Sequence, residues 1–254
     1  MLHMEKHTLF PLFFSLLVIT AHAQDKKIQA DRPSETQTPA TTPKQFFQVE
    51  IGFEKEQQNK DDHSWMHPQT QLKYGLSDRF ELRAELTAKT NKEFSSNNFQ
   101  YGLRPVEFGF KARLLEEKGA LPETSFYTQV GIPALASKDH QTTHAVPHLR
   151  LLFQNKFSEK LHLEYNIGAD WDGEETSPQW LYTLAPEIEI GEKWEAFVEA
   201  FGYLQKGMAA QHHLDGGLAF YPTNNVKFDV YAGKGISKEA PDYFISAGVS
   251  FRLK

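Results

Sequence analysis

The stretch QFFQVEIGFEKE, residues 45–56, alternates apolar and polar side chains. Phe47, Val49, Ile51 and Phe53 would share one face of an extended strand, because successive side chains point to opposite faces. In a soluble sheet that face meets a protein core, whereas in a membrane barrel it meets lipid and the polar face lines the inside. The alternation alone does not choose between the two, so the rest of the chain has to decide.

Similar period-two segments recur along the chain. They are QLKYGL (71–76), RFELRAEL (79–86), VEFGFKARL (106–114), SFYTQVGI (125–132), HLRLLFQNK (148–156), LHLEYNIGA (161–169), WLYTLAPEIEI (180–190), WEAFVEAFGY (194–203), HLDGGLAFY (213–221), VKFDVYAG (226–233) and YFISAGVSFRL (243–253). WEAFVEAFGY is the least regular, since Phe197 and Phe201 share a face with glutamates. With the first segment they predict about twelve strands, each near the roughly 9 to 11 residues of a tilted membrane strand.

The connections between these segments alternate in length. Long polar stretches such as 57–65, 90–98 and 134–144 are separated by short ones such as 77–79 and 158–160. An up-and-down meander closed into a barrel places short turns at one rim and long loops at the other. A lipocalin-like soluble barrel would have about eight strands and an apolar interior. The pattern therefore favours a membrane barrel.

Aromatic residues flank the predicted strands at both ends. Membrane barrels have such aromatic belts at the two interfaces between bilayer and water. Beside the short turns or the C-terminus are Phe80, Phe157, Trp194, Tyr221 and Phe251. Beside the long loops are Trp65, Tyr101, Trp171, Trp180, Tyr203 and Tyr243.

Composition excludes several classes of protein. The chain has 254 residues, a net charge of −6 and no cysteine. This charge does not favour a nucleic-acid partner, which requires a basic surface. The mean hydropathy of −0.53 is compatible with a membrane location, because half of each barrel strand faces a polar interior.

The N-terminal region divides into two parts. An apolar run from Leu9 to Ile19, followed by Ala21-His22-Ala23, predicts a secretory signal peptide over residues 1–23, cleaved between Ala23 and Gln24. Residues 24–44 contain three prolines and no hydrophobic period. They predict an extended, mobile periplasmic leader.

The polar faces of the strands carry charges of both signs, interleaved with glycine. Glycine weakens an ordinary strand but gives long charged side chains room inside a closed lumen. The predicted lumen-lining residues are Glu50, Lys73, Arg83, Glu85, Glu107, Lys111, Arg113, Arg150, Glu164, Glu187, Glu189, Glu199, Asp215, Asp229 and Arg252. They could line a watery path or form a network that only holds the barrel together, and both interpretations stay open.

Other chemistry is weakly indicated. His140, His144 and His148 are spaced by four, but the surrounding prolines favour a loop over a metal-binding helix. Asp170 and Asp172, with an Asp–His pair on a facing strand such as Asp215 and His213, would be the elements of a membrane protease. We predict no catalytic residue, no metal and no cofactor.

The leader DRPSETQTPATTPKQFFQVE, residues 31–50, resembles the start of the outer-membrane barrels grouped under the MetA pathway of phenol degradation. The matching residues are Asp31, Arg32, Pro33, Thr36, Pro39, Thr42, Pro43, Gln48 and Glu50. The terminal strand is also similar, although Lys254 replaces a final aromatic residue and Gln45 stands where the family often has glycine. The resemblance implies a barrel that passes small, hydrophobic or aromatic molecules, and it implies no catalytic residue.

These observations predict an all-β protein, an antiparallel up-and-down transmembrane β-barrel of about 12 strands over residues 45–254. We expect it in the outer membrane of a Gram-negative-type envelope, with membrane lipid and a small solute as partners. We expect a passive channel or transporter and not an enzyme. The sequence leaves open whether its lumen is open or is occluded by the leader or by long loops. The alternatives are a membrane-embedded hydrolase, or a structural or adhesive barrel whose loops bind a ligand. The sequence does not determine the oligomeric state.

Overall fold

A computed structural model describes residues 27–93 and 98–254. The predicted signal peptide, residues 1–23, and its cleavage site at Ala23 and Gln24 lie outside the described residues. In the described ranges no helix is both long and apolar enough to cross a membrane.

Thirteen strands make up most of the described chain. They are β1 (Phe47–Gln57), β2 (His63–Ser77), β3 (Phe80–Glu93), β4 (Asn98–Leu103), β5 (Val106–Leu115), β6 (Glu123–Ile132), β7 (Val146–Lys156), β8 (Leu161–Asp170), β9 (Gln179–Ile190), β10 (Trp194–Gln205), β11 (Gln211–Thr223), β12 (Val226–Gly235) and β13 (Tyr243–Leu253). Two short 3-10 turns, Pro133–Leu135 and Lys138–His140, lie in the loop between β6 and β7.

The strands close into one antiparallel barrel. Except for β4 and β5, strands that are neighbours in the chain pair with each other. β1 pairs with both β2 and β13, so the sheet closes on itself. β4 and β5 are two halves of one barrel strand, because both pair with β3 and only Arg104 and Pro105 separate them. Even at this break the Arg104 amide donates to the Thr87 carbonyl at 2.8 Å. The prediction of an antiparallel barrel of about twelve strands is confirmed.

The hairpin of β2 and β3 is longer than the sequence predicts. Residues 63–65 and 90–93, expected in loops, are strand residues, and His63 pairs in register with Lys92. The hydrophobic period fails there because, apart from Trp65, the side chains of residues 63–65 and 90–92 are polar on both faces. The backbone ladder continues because it depends on hydrogen bonds rather than on apolar side chains.

The apolar and polar faces are sorted as a membrane barrel requires. Apolar side chains in mid-strand, such as Phe53, Phe108 and Ile167, are exposed on the outside by 54%, 52% and 52%. Lys73 and Lys111 are exposed by only 2% and 0% in the interior. The barrel therefore has an apolar exterior and a charged core.

Some aromatic residues depart from the predicted belts. Trp65, Trp180 and Trp194 are exposed on the outside, as expected. Tyr221, however, is 4% exposed and its hydroxyl lies 3.2 Å from the Glu195 carboxylate, so it points inward. Tyr203 also lines an interior cavity. Both were placed in the belts because they sit near strand ends, but strand alternation puts them on the inner face.

The irregular pattern of β10 has a simple cause. Phe197 and Phe201 are buried on the inner face together with Glu199. The inner wall is thus not wholly polar, and Phe201 stacks on His213 with ring centroids 4.4 Å apart. Gly217 makes room for Phe197, since a Cβ at that glycine would lie 2.6 Å from the Phe197 ring.

Candidate functional site: a lumen occupied by the leader

The described part of the leader, residues 27–44, lies inside the barrel. It begins at the short-turn rim, where the Ile28 amide donates to the Asn224 carbonyl at 2.7 Å. It returns to the same rim at Lys44, which bridges to Gly75 just before β1. Between these points the segment forms a re-entrant loop whose residues contact the inner wall. The sequence predicts a mobile leader and leaves open whether it occludes the lumen, whereas in the structure its described part lies inside the barrel.

Asp31 is the main ionic anchor of this loop. Its carboxylate lies 2.6 Å from Lys73 Nζ, 2.7 Å from an Arg83 guanidinium nitrogen and 2.9 Å from Lys111 Nζ. The three cations come from β2, β3 and β5, and Lys73 also bonds Glu50. Burial by itself raises the pKa of the Asp31 carboxyl, but the charges of Lys111, Lys73 and Arg83 outweigh it and hold the pKa well below its usual range.

Arg32 anchors the loop to the neighbouring part of the wall, on the other side of β1. Its guanidinium donates to Asp229 at 2.8 Å and to the Ser246 hydroxyl at 2.9 Å. Gly52 and Gly248 face each other across β1 and β13 and leave the space that the guanidinium fills. A Cβ at these glycines would lie 1.8 and 2.3 Å from Arg32 side-chain atoms.

The turn at the top of the loop binds Glu199 at mid-height on β10. The Glu35 and Thr36 amides donate to the Glu199 carboxylate at 2.9 and 2.7 Å. The Thr36 hydroxyl also lies 2.7 Å from the Thr183 hydroxyl. On the other side, Arg150 contacts the Glu35 carboxylate at 2.9 Å.

The descending half of the loop is held mainly through its backbone. Lys111 Nζ donates to the Thr38 carbonyl at 2.8 Å, and the Ser125 hydroxyl donates to the Pro39 carbonyl. The Thr42 amide donates to the Glu81 carboxylate at 2.6 Å. Inward-facing wall groups therefore satisfy a backbone that forms almost no secondary structure of its own.

Two polar cavities remain, one on each side of the leader loop. The cavity at the short-turn side has a volume of about 670 Å³ and is lined by residues that include Asp78, Arg113 and Arg252. The cavity at the long-loop side has a volume of about 340 Å³ and is lined by residues that include Glu85 and Arg104. Carboxylates outnumber lysines and arginines in both linings.

The predicted lumen-lining residues are all at least half-buried. Those that are buried are Glu50, Lys73, Arg83, Glu107, Lys111, Glu164, Glu199, Asp229 and Arg252. Those that are half-buried are Glu85, Arg113, Arg150, Glu187, Glu189 and Asp215. Many of them contact the leader rather than open space, so their role along a permeation path stays a prediction.

Sequence reasoning missed the leader's own contribution to this interior. Asp31 and Arg32 were recognised only as part of a family motif, although they supply the central charges of the lumen. One sequence feature could have identified them: Asp31 and Arg32 are adjacent residues of opposite charge in a segment that has no apolar face. Glu81 was also omitted, although it alternates with Arg83 on the same face and contacts it at 3.4 Å.

The histidine and aspartate candidates do not form the sites considered for them. Asp170 accepts from His148 Nδ1 at 2.9 Å and from Arg150 at 3.2 Å, whereas His213 stacks on Phe201. Asp172 accepts the amides of two following loop residues. Within the described ranges no cluster of histidine and carboxylate residues has the geometry to hold a metal ion.

Comparison with known proteins places the chain in a family. The sequence model of the family described as "Putative MetA-pathway of phenol degradation" matches residues 30–253. The chain belongs to this family. The match begins at residue 30, so the phenol-degradation family model covers residues 30–44 of the leader as well as the barrel. A search of the curated proteins finds no significant match.

Solved structures share the fold of this phenol-degradation family member. An outer membrane channel from Pseudomonas putida F1 superimposes with a TM-score of 0.66 at 10% identity, covering 87% of this chain and 100% of that chain. The KdgM porin gives a TM-score of 0.53 at 12% identity, covering 82% and 99%. The NanC porin gives 0.51 at 9% identity, covering 82% and 100%. These barrels are channels and porins, and the resemblance at such identities concerns the fold.

Proposed function

We propose that this protein is a passive outer-membrane channel for small solutes whose lumen is closed by its own leader. One observation carries the proposal. A closed barrel with an apolar exterior encloses two polar cavities, and the re-entrant loop of residues 27–44 separates them.

The outer surface supports a location in the outer membrane. Exposed apolar side chains cover the middle of the barrel, and exposed tryptophans lie near both rims, with Trp65 and Trp180 at one and Trp194 at the other. In water such a surface would be unstable, whereas a bilayer solvates it. Barrels of this kind place short turns in the periplasm and longer loops outside the cell. The leader would then enter from the periplasmic side.

Permeation requires the leader loop to move. The loop is anchored mainly by ion pairs and by hydrogen bonds to backbone groups, and water could replace both in a hydrated lumen. Both ends of the loop lie at the short-turn rim, so it can leave toward that side without crossing the barrel. Release would join the two cavities into one path.

The solutes are expected to be small and neutral or cationic. The excess of carboxylates in both cavities disfavours anions. The family description refers to phenol degradation, and uncharged phenolic compounds fit a lumen rich in hydrogen-bonding groups. They are therefore the first solutes to test.

A disulfide between the loop and the wall tests the proposal. The hydroxyls of Thr36 and Thr183 lie 2.7 Å apart, and the natural chain has no cysteine. The double variant T36C/T183C should form a disulfide under oxidising conditions. In liposomes loaded with a phenolic probe, we expect the oxidised protein to pass several-fold less solute than the same sample after reduction.

The single variants T36C and T183C are the matched controls, and their flux should not change with reductant. If the oxidised and reduced double variant pass solute at the same rate, movement of the leader is not required. If neither form passes any solute above protein-free liposomes, the channel function itself is wrong.

A further inference from the structure

The outer wall of the barrel carries an apolar hollow that the channel function does not use. It has a volume of about 810 Å³ and extends across β11, β12, β13, β1 and β2. Small residues line it, among them Gly216, Ala232 and Ala247, and larger ones such as Phe53 and Leu218 stand beside them. Phe53 and Leu218 are 54% and 45% exposed, so the hollow is open to the surroundings of the barrel.

A basic and aromatic cluster borders this hollow at its long-loop end. Lys55 Nζ lies 5.5 Å from the ring centroids of both Trp65 and Tyr243, and 3.2 Å from the Tyr243 hydroxyl. Lys234 is exposed and lies two residues beyond Ala232, on the same outward face of β12. Among the described residues, no carboxylate forms an ion pair with Lys55.

We propose that the hollow binds one acyl chain of a phosphate-bearing anionic lipid, with the lipid phosphate held by Lys55 and Lys234. This inference rests on the membrane location given under the proposed function. The small residues leave a space that bulky side chains would fill, and an acyl chain can occupy this space. Tryptophan and tyrosine mark the level of the lipid headgroups, and the two lysines supply the opposite charge at that level.

Trp65 provides a direct reporter, because it lines the hollow. The chain has four tryptophans. Replacing Trp171, Trp180 and Trp194 with phenylalanine leaves only Trp65. The matched control retains only Trp180, which is 59% exposed near the same rim. In the β-ladder Trp180 pairs with Ala169 and Leu204, neither of them basic.

Both single-tryptophan proteins would be placed in vesicles of phosphatidylglycerol and phosphatidylcholine. One lipid at a time carries brominated acyl chains, which quench nearby tryptophan fluorescence. We expect Trp65 to prefer phosphatidylglycerol over phosphatidylcholine, and Trp180 to show no preference. Each lysine near a membrane surface is worth about 1 kcal/mol toward anionic lipid. K55Q should therefore lower the Trp65 preference roughly fivefold, and K55Q/K234Q should abolish it.

Three other outcomes would overturn the inference. Equal quenching of Trp65 by both lipids would mean that the hollow is ordinary lipid-facing surface. Quenching of Trp180 but not of Trp65 would mean that protein, such as a second copy of the chain, covers the hollow. If neither tryptophan is quenched, the barrel is not in the bilayer, and the proposed function fails together with the inference.

Discussion

At the scale of single residues, the interior depends on one carboxylate that faces three cations. If Asp31 were removed, three cations would lose their shared counter-ion while still being held in a confined lumen. These cations are Lys73, Arg83 and Lys111. Losing one partner of such a buried group costs more than the pair itself contributes, because the remaining charges stay poorly solvated. Asp31 is thus the residue at which the docked leader is most vulnerable.

The substitution D31N should favour release of the leader. A charge-assisted hydrogen bond contributes roughly 1.5–3 kcal/mol, so the open population should rise about tenfold or more. Thr36 is 1% exposed at the turn of the loop, and a T36C background makes release measurable as the rate of maleimide labelling. D78N in the same background is the control, because Asp78 contacts the Lys44 amide at the exposed rim. Equal labelling rates in the two variants would contradict the role given to Asp31.

At the scale of elements, the leader depends on a glycine in β2. Gly75 exchanges backbone hydrogen bonds with the two residues that join the leader to β1. Its carbonyl accepts the Gln45 amide at 2.8 Å and its amide donates to the Phe46 carbonyl at 3.0 Å. A Cβ at Gly75 would lie 2.1 Å from the Pro43 carbonyl oxygen. Because the Pro43 oxygen belongs to the backbone, a side-chain rotation cannot relieve this clash.

G75A should therefore displace the end of the leader, whereas G52A should be milder. At Gly52 the obstructing atoms belong to the flexible end of Arg32. We expect faster labelling of T36C in the G75A background than in the G52A background, with both barrels retaining their resistance to unfolding in sodium dodecyl sulfate. The reverse order would show that close backbone approach at β2 does not hold the leader.

The sequence pattern predicts most of the strands but not the location of the leader. Alternation in segments such as 106–114 and 226–233 located the strands, because lipid on one side and polar groups on the other impose a period of two. Neither β4 nor the break at Pro105 was predicted, because the six residues of β4 are fewer than a membrane strand of its own requires. Nor was the location of the leader predicted, because its contacts use carbonyls, amides and threonine hydroxyls, which have no periodic signature. Gln45 lies at a φ of 65°, the left-handed region that favours glycine, at the position where the family often has glycine.

At the scale of the whole molecule, the leader supplies the interior that the wall lacks. A barrel of twelve strands is too wide for its own side chains to fill completely. Inward glycines enlarge the space further, and the loop of residues 27–44 occupies it between the two cavities. Under the proposed function, the barrel is a preformed channel wall and the leader is the internal segment that has to be released.

Closure of the lumen by the leader can be measured as the conductance of single proteins in planar bilayers, with and without residues 27–43. We expect only rare, brief steps for the intact chain, because the leader has to leave the lumen first, and large, stable, cation-preferring steps for the shortened chain. The preference follows from the carboxylates that remain in both cavities after the leader is removed, among them Glu107, Glu187 and Glu195. A shortened protein that inserts as a folded barrel and conducts no more than the intact one would contradict the account.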